Sequence, residues 1–223
     1  MILILETSGP LVSVAICNQK GELLCSEQSL TPNSHAELLA EMANNCILAH
    51  GGYGKLSAIA VSQGPGSYTG LRIGVSLAKG LCYALSVPLV PVNAYKAMAA
   101  HAASHCSAST YIAFTDARRN EIYVSVFESG ADRDEQVFPL IPDSQVWSEL
   151  KSPRVFAGNC TEKVRELIDL RSDDVFLEMQ PSAEYACKQA AQLFAGGRFA
   201  DVAYFEPYYL KDFIPGIPKK FAL

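Results

Sequence analysis

Charged residues are scarce in the first half of this 223-residue sequence. Residues 1–108 contain only five acids and five bases, whereas residues 109–223 contain 18 acids and 13 bases. The net charge of −5 argues against a protein that binds nucleic acid by itself, because such proteins need a basic surface. A hydrophobic content of 49% is too high for a disordered chain.

Long apolar runs, CxxC motifs and a basic amino-terminal segment are also missing. The uncharged stretches 80–95 and 97–115 are broken by Pro, Asn, Ser and His, so neither predicts a membrane span. The first six residues, MILILE, lack the basic region of a signal peptide. Seven cysteines without CxxC spacing are typical of reduced thiols. We therefore expect a cytoplasmic protein without membrane association.

The order of predicted elements indicates two related α/β lobes. Alternating and aliphatic runs predict an antiparallel three-stranded meander at the amino terminus, over 2–6, 11–17 and 22–29. Ser34 and Glu37 have the spacing of a capping box and predict the start of a helix. The sequence predicts lobes over 1–108 and 109–198, and a tail over 199–223 that packs back on the first lobe.

Within these lobes, short strands alternate with helical patterns. The first lobe continues with strands over 57–62 and 87–92 and helices over 69–86 and 93–105. The second lobe is predicted to contain strands over 110–116, 121–127, 154–157 and 174–178 and helices over 160–170 and 182–195. Its acidic stretch over 131–152 is predicted to be mostly loop.

A glycine-rich turn at Gly64-Pro65-Gly66-Ser67 precedes the second predicted helix. Ser67 or Thr69 can cap this helix, and a free helix N-terminus can hold an anion. The segment has neither the Gly-Lys-Ser/Thr of a P-loop nor the GxGxxG pattern of a dinucleotide site. Considered alone, it is also compatible with a purely structural turn.

The helix over 69–86 carries only two charges, Arg72 and Lys79, and its apolar residues are not confined to one stripe. A helix of this kind must be buried on most sides. The pattern therefore favours burial against a partner subunit, and the alternative is coverage by the second lobe.

The run GPGSYTGLRIGVSLAKGL over 64–81, preceded by VSQ and followed by PLVPVN, resembles the TsaB (YeaZ) family. The resemblance extends to LILETS at the start, SHAELL from Ser34, DARRNEIY from Asp116, FAGN from Phe156 and PYYL from Pro207. It implies an α/β fold of the actin-like ATPase, sugar kinase and Hsp70 type (ASKHA, ribonuclease H-like), with two related lobes.

The resemblance also implies a function. Such proteins are non-catalytic subunits of the machinery that transfers a threonylcarbamoyl group to N6 of the adenosine next to the anticodon, in tRNAs that read codons beginning with A. It implies binding to a catalytic paralogue, TsaD, together with the ATPase TsaE. ATP and a metal ion are expected on these partners and no cofactor on this chain. Contact with tRNA is expected only through the complex, and a homodimer is expected in isolation.

By the same resemblance, the helices over 34–50 and 69–86 pack against the equivalent helices of the paralogue. The predicted interface side chains are Leu38, Leu39, Met42, Leu71, Ile73, Leu77 and Leu81.

The metal site of the paralogue is expected to be missing here. TsaD-like chains carry two histidines four residues apart after the second helix, and such a pair can bind a metal. The corresponding positions of this chain are Ala94 and Met98. A second pair with this spacing, His101 and His105, has no acid nearby in the sequence and is interpreted as structural.

Nucleotide chemistry is predicted to be vestigial. Glu6, Thr7 and Ser8 in the first turn and Asp116 at the start of the second lobe are candidates for a remnant cleft. The alternative function is a stand-alone ASKHA-fold ATPase or kinase, or a peptidase that acts on the paralogue. Lys211, Lys219 and Lys220 form a small basic end that could contact tRNA.

Overall fold

The computed structural model describes residues 1–117, 121–129, 138–140, 147–166 and 168–210. Two five-stranded sheets dominate this part of the chain. The first sheet is formed by β1 (Ile2–Glu6), β2 (Val12–Cys17), β3 (Leu23–Ser29), β4 (Ala58–Ser62) and β5 (Leu89–Val92). The second is formed by β6 (Thr110–Asp116), β7 (Ile122–Glu128), β8 (Phe138–Leu140), β9 (Arg154–Gly158) and β10 (Val175–Glu178).

The helices connect and cover these sheets. The α-helices are α1 (His35–Ala49), α2 (Tyr68–Leu85), α3 (Ala94–His105), α4 (Thr161–Arg165) and α5 (Cys187–Ala195). Two 3-10 turns lie at Tyr53–Lys55 and Ala183–Ala186.

Both sheets have the same topology. The strand order is β3-β2-β1-β4-β5 in the first sheet and β8-β7-β6-β9-β10 in the second. In each, the first three strands in chain order are antiparallel and the last two run parallel to the first strand. The predicted meander and the prediction of two related lobes are confirmed.

The first sheet is covered by different helices on its two faces. Successive side chains of a strand point to opposite faces. Leu3 and Leu5 of β1 accordingly pack in one cluster with α1 and α2, whereas Ile2 and Ile4 pack in another with α5. Because all four side chains are fully buried, β1 is the centre of this lobe.

The lobes exchange helices. Helix α3 precedes the second sheet in the chain, yet Tyr95 and Met98 pack with Tyr111, Ala113 and Val155 of that sheet. Helix α5 follows the second sheet, yet it covers the back of the first. Packing therefore differs from the predicted division at residues 108 and 198, because each lobe uses a helix from the other part of the chain.

The tail is described only as far as residue 210. Ala200 forms a β-bridge with Leu89, and Val202 and Phe205 pack against the core cluster that contains α1 and α2. The basic residues Lys211, Lys219 and Lys220 lie outside the described residues.

The predicted start of helix α1 after Ser34 is confirmed, but the capping bond is not: the Ser34 hydroxyl donates to the Thr31 carbonyl and accepts no bond from the first turn. The stretch 131–152, predicted to be mostly loop, includes the three-residue strand β8, which pairs with β7. None of the helices in the described ranges combines the length and apolar content of a bilayer span.

Candidate functional site

The turn after β1 is closed to solvent. The exposed fractions of Glu6, Thr7 and Ser8 are only 2%, 0% and 5%. The Ser8 N–H donates to Glu6 Oε1 over 2.7 Å. Burial raises the pKa of Glu6, although the bonds from the Ser8 side chain and backbone oppose this shift. The Glu6 carboxyl group is therefore turned into the protein and is not presented to solvent.

The glycine-rich turn and the start of α2 cover the turn formed by Glu6, Thr7 and Ser8. The Ser67 N–H donates to the Ser8 carbonyl over 2.7 Å. A Cβ atom on Gly70 would lie 2.2 Å from the Thr7 carbonyl oxygen, and one on Gly74 would lie 2.3 Å from Thr7 Oγ1. The glycines therefore let α2 rest directly on the turn. Ser67 caps the helix, as predicted, because its Oγ accepts from the Gly70 N–H.

Asp116 has a different environment from Glu6. Its side chain is about half exposed, and its Oδ1 accepts a bond from Lys163 Nζ over 2.8 Å. Its N–H donates to Asn159 Oδ1. A lysine ammonium therefore already balances the charge of this carboxylate.

The buried side chain of Tyr95 connects α3 to the end of β6. The Tyr95 hydroxyl and Thr115 Oγ1 share a hydrogen bond of 2.6 Å, directly beside Asp116 in sequence. Burial raises the pKa of Tyr95, and the nearby Glu6 charge adds to that shift. Tyr95 thus joins α3 to the second sheet through a buried hydrogen bond.

The two positions that correspond to metal ligands in the paralogue are packed in an apolar cluster. Ala94 is 3% exposed and Met98 is fully buried, among residues of α3 and the second sheet. A methyl group offers no lone pair, and a thioether is a soft ligand unsuited to hard cations. The residues present therefore do not fit a metal site of the paralogue's kind.

The second histidine pair is held by local contacts. The ring of His101 stacks on Tyr185 at a centroid distance of 4.0 Å, and His105 Nδ1 lies 2.9 Å from the His101 carbonyl oxygen. Burial lowers the pKa of His101, and the neighbouring His105 adds to the effect. These contacts favour the interpretation of the pair as structural.

The predicted interface residues fall into two groups. Three of them are buried in this chain's own core, at exposed fractions of 1%, 7% and 0%: Leu39, Met42 and Leu71. Their side chains are buried within this chain, and their contact with a partner stays a prediction. The other four are half-buried against the same core: Leu38, Ile73, Leu77 and Leu81.

The outer face of α2 carries residues that the prediction overlooked. Ser76, Gly80 and Ala84 are exposed and recur every four residues, and Tyr83 beside them is 86% exposed. A search for apolar side chains missed this face because most of its members are small. The sequence did contain a signal for this face. Leu71, Val75, Ala78 and Cys82 recur at helical spacing and are buried, so Ser76, Gly80 and Ala84 fall on the opposite, exposed side of the helix.

Comparison with known proteins identifies the family. Residues 29–140, half of the chain, match the family model described as TsaD: tRNA N6-adenosine threonylcarbamoyltransferase. The tRNA threonylcarbamoyladenosine biosynthesis protein TsaB of Escherichia coli K12 is 28% identical over 95% of this chain and 94% of its own length. The crystal structure of YeaZ from Pseudomonas aeruginosa superposes with a TM-score of 0.78 at 27% identity, covering 94% of this chain and 99% of that one. The chain belongs to the TsaB (YeaZ) family.

Membership of the TsaB family is supported by a further relative. TsaB of Haemophilus influenzae is 35% identical over 56% of this chain, and the match covers 52% of that protein. The predicted ASKHA-type fold is confirmed by the YeaZ superposition together with the repeated sheet topology.

Proposed function

We propose that this chain is a non-catalytic subunit in the biosynthesis of threonylcarbamoyladenosine in tRNA, and that it acts by binding and supporting a TsaD-type catalytic paralogue. The proposal rests on membership of the TsaB family and on the biosynthetic role named for the Escherichia coli relative. In this proposal, ATP, the metal ion and tRNA are bound by the paralogue and by a TsaE-type ATPase.

The observation that carries the non-catalytic role is the packing at Ala94 and Met98. Both side chains are buried in an apolar cluster, where a metal-dependent relative needs ligands. The closed turn at Glu6 supports the same conclusion, because its carboxylate has no open path to a substrate. This chain thus retains the fold of an active relative and lacks its reactive groups.

The binding surface in this proposal is the outer face of α1 and α2. Both helices cover one face of the first sheet, and α2 presents Ser76, Gly80 and Ala84 outward. Small side chains allow the backbone of a second helix to approach closely. An equivalent helix pair on the paralogue would complete a four-helix contact, and a second copy of this chain could use the same surface when the paralogue is absent.

Substitution of Gly80 by arginine tests this surface. A Cβ atom on Gly80 meets no atom within 4 Å, so the larger side chain leaves the fold intact. We expect Gly80→Arg to abolish co-purification with the TsaD-type paralogue and to stop threonylcarbamoylation by the reconstituted system. Charged substitutions of Leu77 or Leu81 are less informative, because both side chains pack against this chain's own core.

The matched control is Gln192→Arg, an exposed change on α5 at the opposite face of the same sheet. It should leave both complex formation and activity unchanged. An intact complex with Gly80→Arg would contradict the proposed surface. Hydrolysis of ATP or of a peptide by the purified chain without partners, lost on Glu6→Gln, would contradict the non-catalytic role.

A further inference from the structure

The carboxy-terminal segment over residues 199–210 lies along the side of α2. Lys79 Nζ donates to the Ala203 carbonyl over 2.9 Å, and the ring of Tyr209 lies 4.9 Å from the ring of Tyr68. Residues 202–204 form a turn, and residues 205–209 continue without regular secondary structure. The helix rises roughly 16 Å between Tyr68 and Lys79. The segment therefore runs antiparallel to α2 along most of its length.

The backbone of this segment is held in place by buried contacts. Pro207 is buried, and the Tyr208 N–H donates to the Gln63 carbonyl over 2.7 Å. Gly64 has a φ of 88°, and a Cβ atom there would lie 2.8 Å from the Tyr208 carbonyl oxygen. Asp201 Oδ1 accepts from the N–H groups of Ala203 and Tyr204. Side chains on this segment are therefore presented from a fixed backbone.

Three tyrosines on this side of the molecule are exposed to solvent. Their exposed fractions are 86% for Tyr83, 85% for Tyr204 and 53% for Tyr208. Tyr83 follows Lys79 by one turn of α2, and Tyr204 directly follows Ala203, so the Lys79–Ala203 hydrogen bond joins the backbone regions that carry both residues. We call these three side chains the tyrosine strip. It borders the exposed face of α2 on the side of the carboxy-terminal segment.

The chemistry of the strip favours a protein partner over nucleic acid. Among the described residues beside it, the cations Arg72 and Lys79 are balanced by the acids Asp201 and Glu206. The guanidinium of Arg72 lies 4.3 Å above the ring of Tyr68. A phosphate backbone needs an excess of positive charge, whereas tyrosine and arginine are enriched at the centres of protein interfaces.

We propose that the tyrosine strip is a second contact region for the TsaD-type paralogue, continuous with the α2 face and formed by Tyr83 of α2 together with Tyr204 and Tyr208 of the carboxy-terminal segment. This inference rests on the proposed function, because it names the same partner. The fixed backbone reduces the entropy lost on binding, and each ring contributes a large contact area with a hydroxyl group.

The test uses the full chain and the full-length paralogue from the same source. The double variant Tyr83→Ala/Tyr204→Ala removes the two most exposed rings, and binding to the paralogue is measured by titration calorimetry. We expect the dissociation constant to rise about tenfold or more, as for the loss of interface hot spots. Leu170→Ala is the control, since Leu170 is an exposed large side chain (53%) on the second lobe. It should leave affinity unchanged.

A second measurement does not depend on the stability of the double variant. Tyr204→benzoylphenylalanine places a photoreactive group on the strip, and irradiation should crosslink this chain to the paralogue. The same group at Leu170 should give no crosslink. Binding of tRNA to this chain alone is measured in parallel by fluorescence anisotropy.

The outcomes separate this inference from the proposed function. An affinity of the double variant within twofold of the original chain, or a crosslink to tRNA instead of the paralogue, would overturn the role of the strip. If Gly80→Arg still abolishes the complex in that case, the proposed function stands. If neither variant weakens the complex, both are wrong.

Discussion

Glu6, a predicted residue of a remnant nucleotide cleft, has a buried side chain. Its carboxyl group is 2% exposed and accepts from the Ser8 N–H. Burial disfavours the charged form, so its pKa is raised above the ordinary value of 4.5. Near neutral pH, ionisation of this buried group lowers the free energy of unfolding. An uncharged side chain of the same shape, such as glutamine, would not have this effect.

Glu6→Gln should therefore stabilise the fold more at pH 8 than at pH 5. Below about pH 4.5 the carboxyl group is protonated in both states, and above it the unfolded chain ionises first. The stability of the original chain then falls as pH rises toward the folded pKa. The amide of the variant keeps the bond from Ser8 and has no such loss. Urea unfolding at both pH values measures the difference.

The control for this variant is Glu149→Gln, because Glu149 is exposed. It should show the same change in unfolding free energy at both pH values. Equal stabilisation by Glu6→Gln at pH 5 and pH 8 would mean that Glu6 does not titrate in this window.

The sequence was sufficient to predict part of the site at this scale. Ala94 and Met98 lack ligand chemistry whatever their surroundings, so their significance could be read from residue type alone. The burial of Glu6 could not be predicted, because it depends on the distance between Thr7 and Gly70, which are far apart in the chain. For the same reason, Lys163 was not recognised as the partner of Asp116.

Helix α2 has two opposed faces with different requirements for glycine. Gly70 and Gly74 face the turn after β1, where a Cβ atom would come within 2.3 Å of Thr7. Gly80 faces outward and meets nothing within 4 Å. The same residue type is therefore a packing requirement at one end of the helix and a determinant of surface shape further along.

Alanine substitutions at these glycines should have opposite effects on stability. Gly70→Ala forces the helix away from the Thr7 carbonyl and should cost about 1–3 kcal/mol in unfolding free energy. Gly80→Ala adds a helix-favouring residue in open space and should gain about 0.5–1 kcal/mol. Thermal or urea unfolding of both variants provides the measurement, and each serves as the control for the other. Destabilisation by Gly80→Ala would show that its face is already covered in the isolated chain.

The bounds of the strands and helices were easier to predict than which neighbour buries each of their faces. The strands and the long helices were placed within a few residues, since local periodicity and glycine-rich breaks are visible in the sequence. The burial of Leu39, Met42 and Leu71 within this chain was not predicted, because apolar character does not reveal which neighbour buries a side chain. Leu39 and Met42 pack in the core cluster of the first sheet, and Leu71 lies beside Gly64.

On the scale of the whole molecule, the two lobes are joined by more than the chain connection. Ser13 Oγ of β2 lies 3.2 Å from Ser182 Oγ and accepts from the Ala183 N–H, both just before α5. Together with the exchanged helices, these buried bonds fix the first sheet to segments that follow the second. The near-neutral first half of the sequence thus forms a core with partners from distant parts of the chain.

A fragment limited to residues 1–108 should not form a stable fold. Without α5, the face of the first sheet that contains Ile2, Ile4 and Val90 loses its cover, and α3 loses the second sheet. We expect the fragment to bind a hydrophobic dye and to lack a cooperative thermal transition by circular dichroism. The full chain under the same conditions is the control. A cooperative transition of the fragment would show that the first lobe is an independent folding unit.

The exchange of helices also has a consequence for synthesis on the ribosome. Translation releases the first sheet long before α5, whose last residue is Ala195 of 223. During that interval the apolar back of the sheet has no intramolecular cover, although α1 and α2 can already protect the front. The nascent chain would therefore depend on chaperones, or on rapid elongation, until residue 195 has been made.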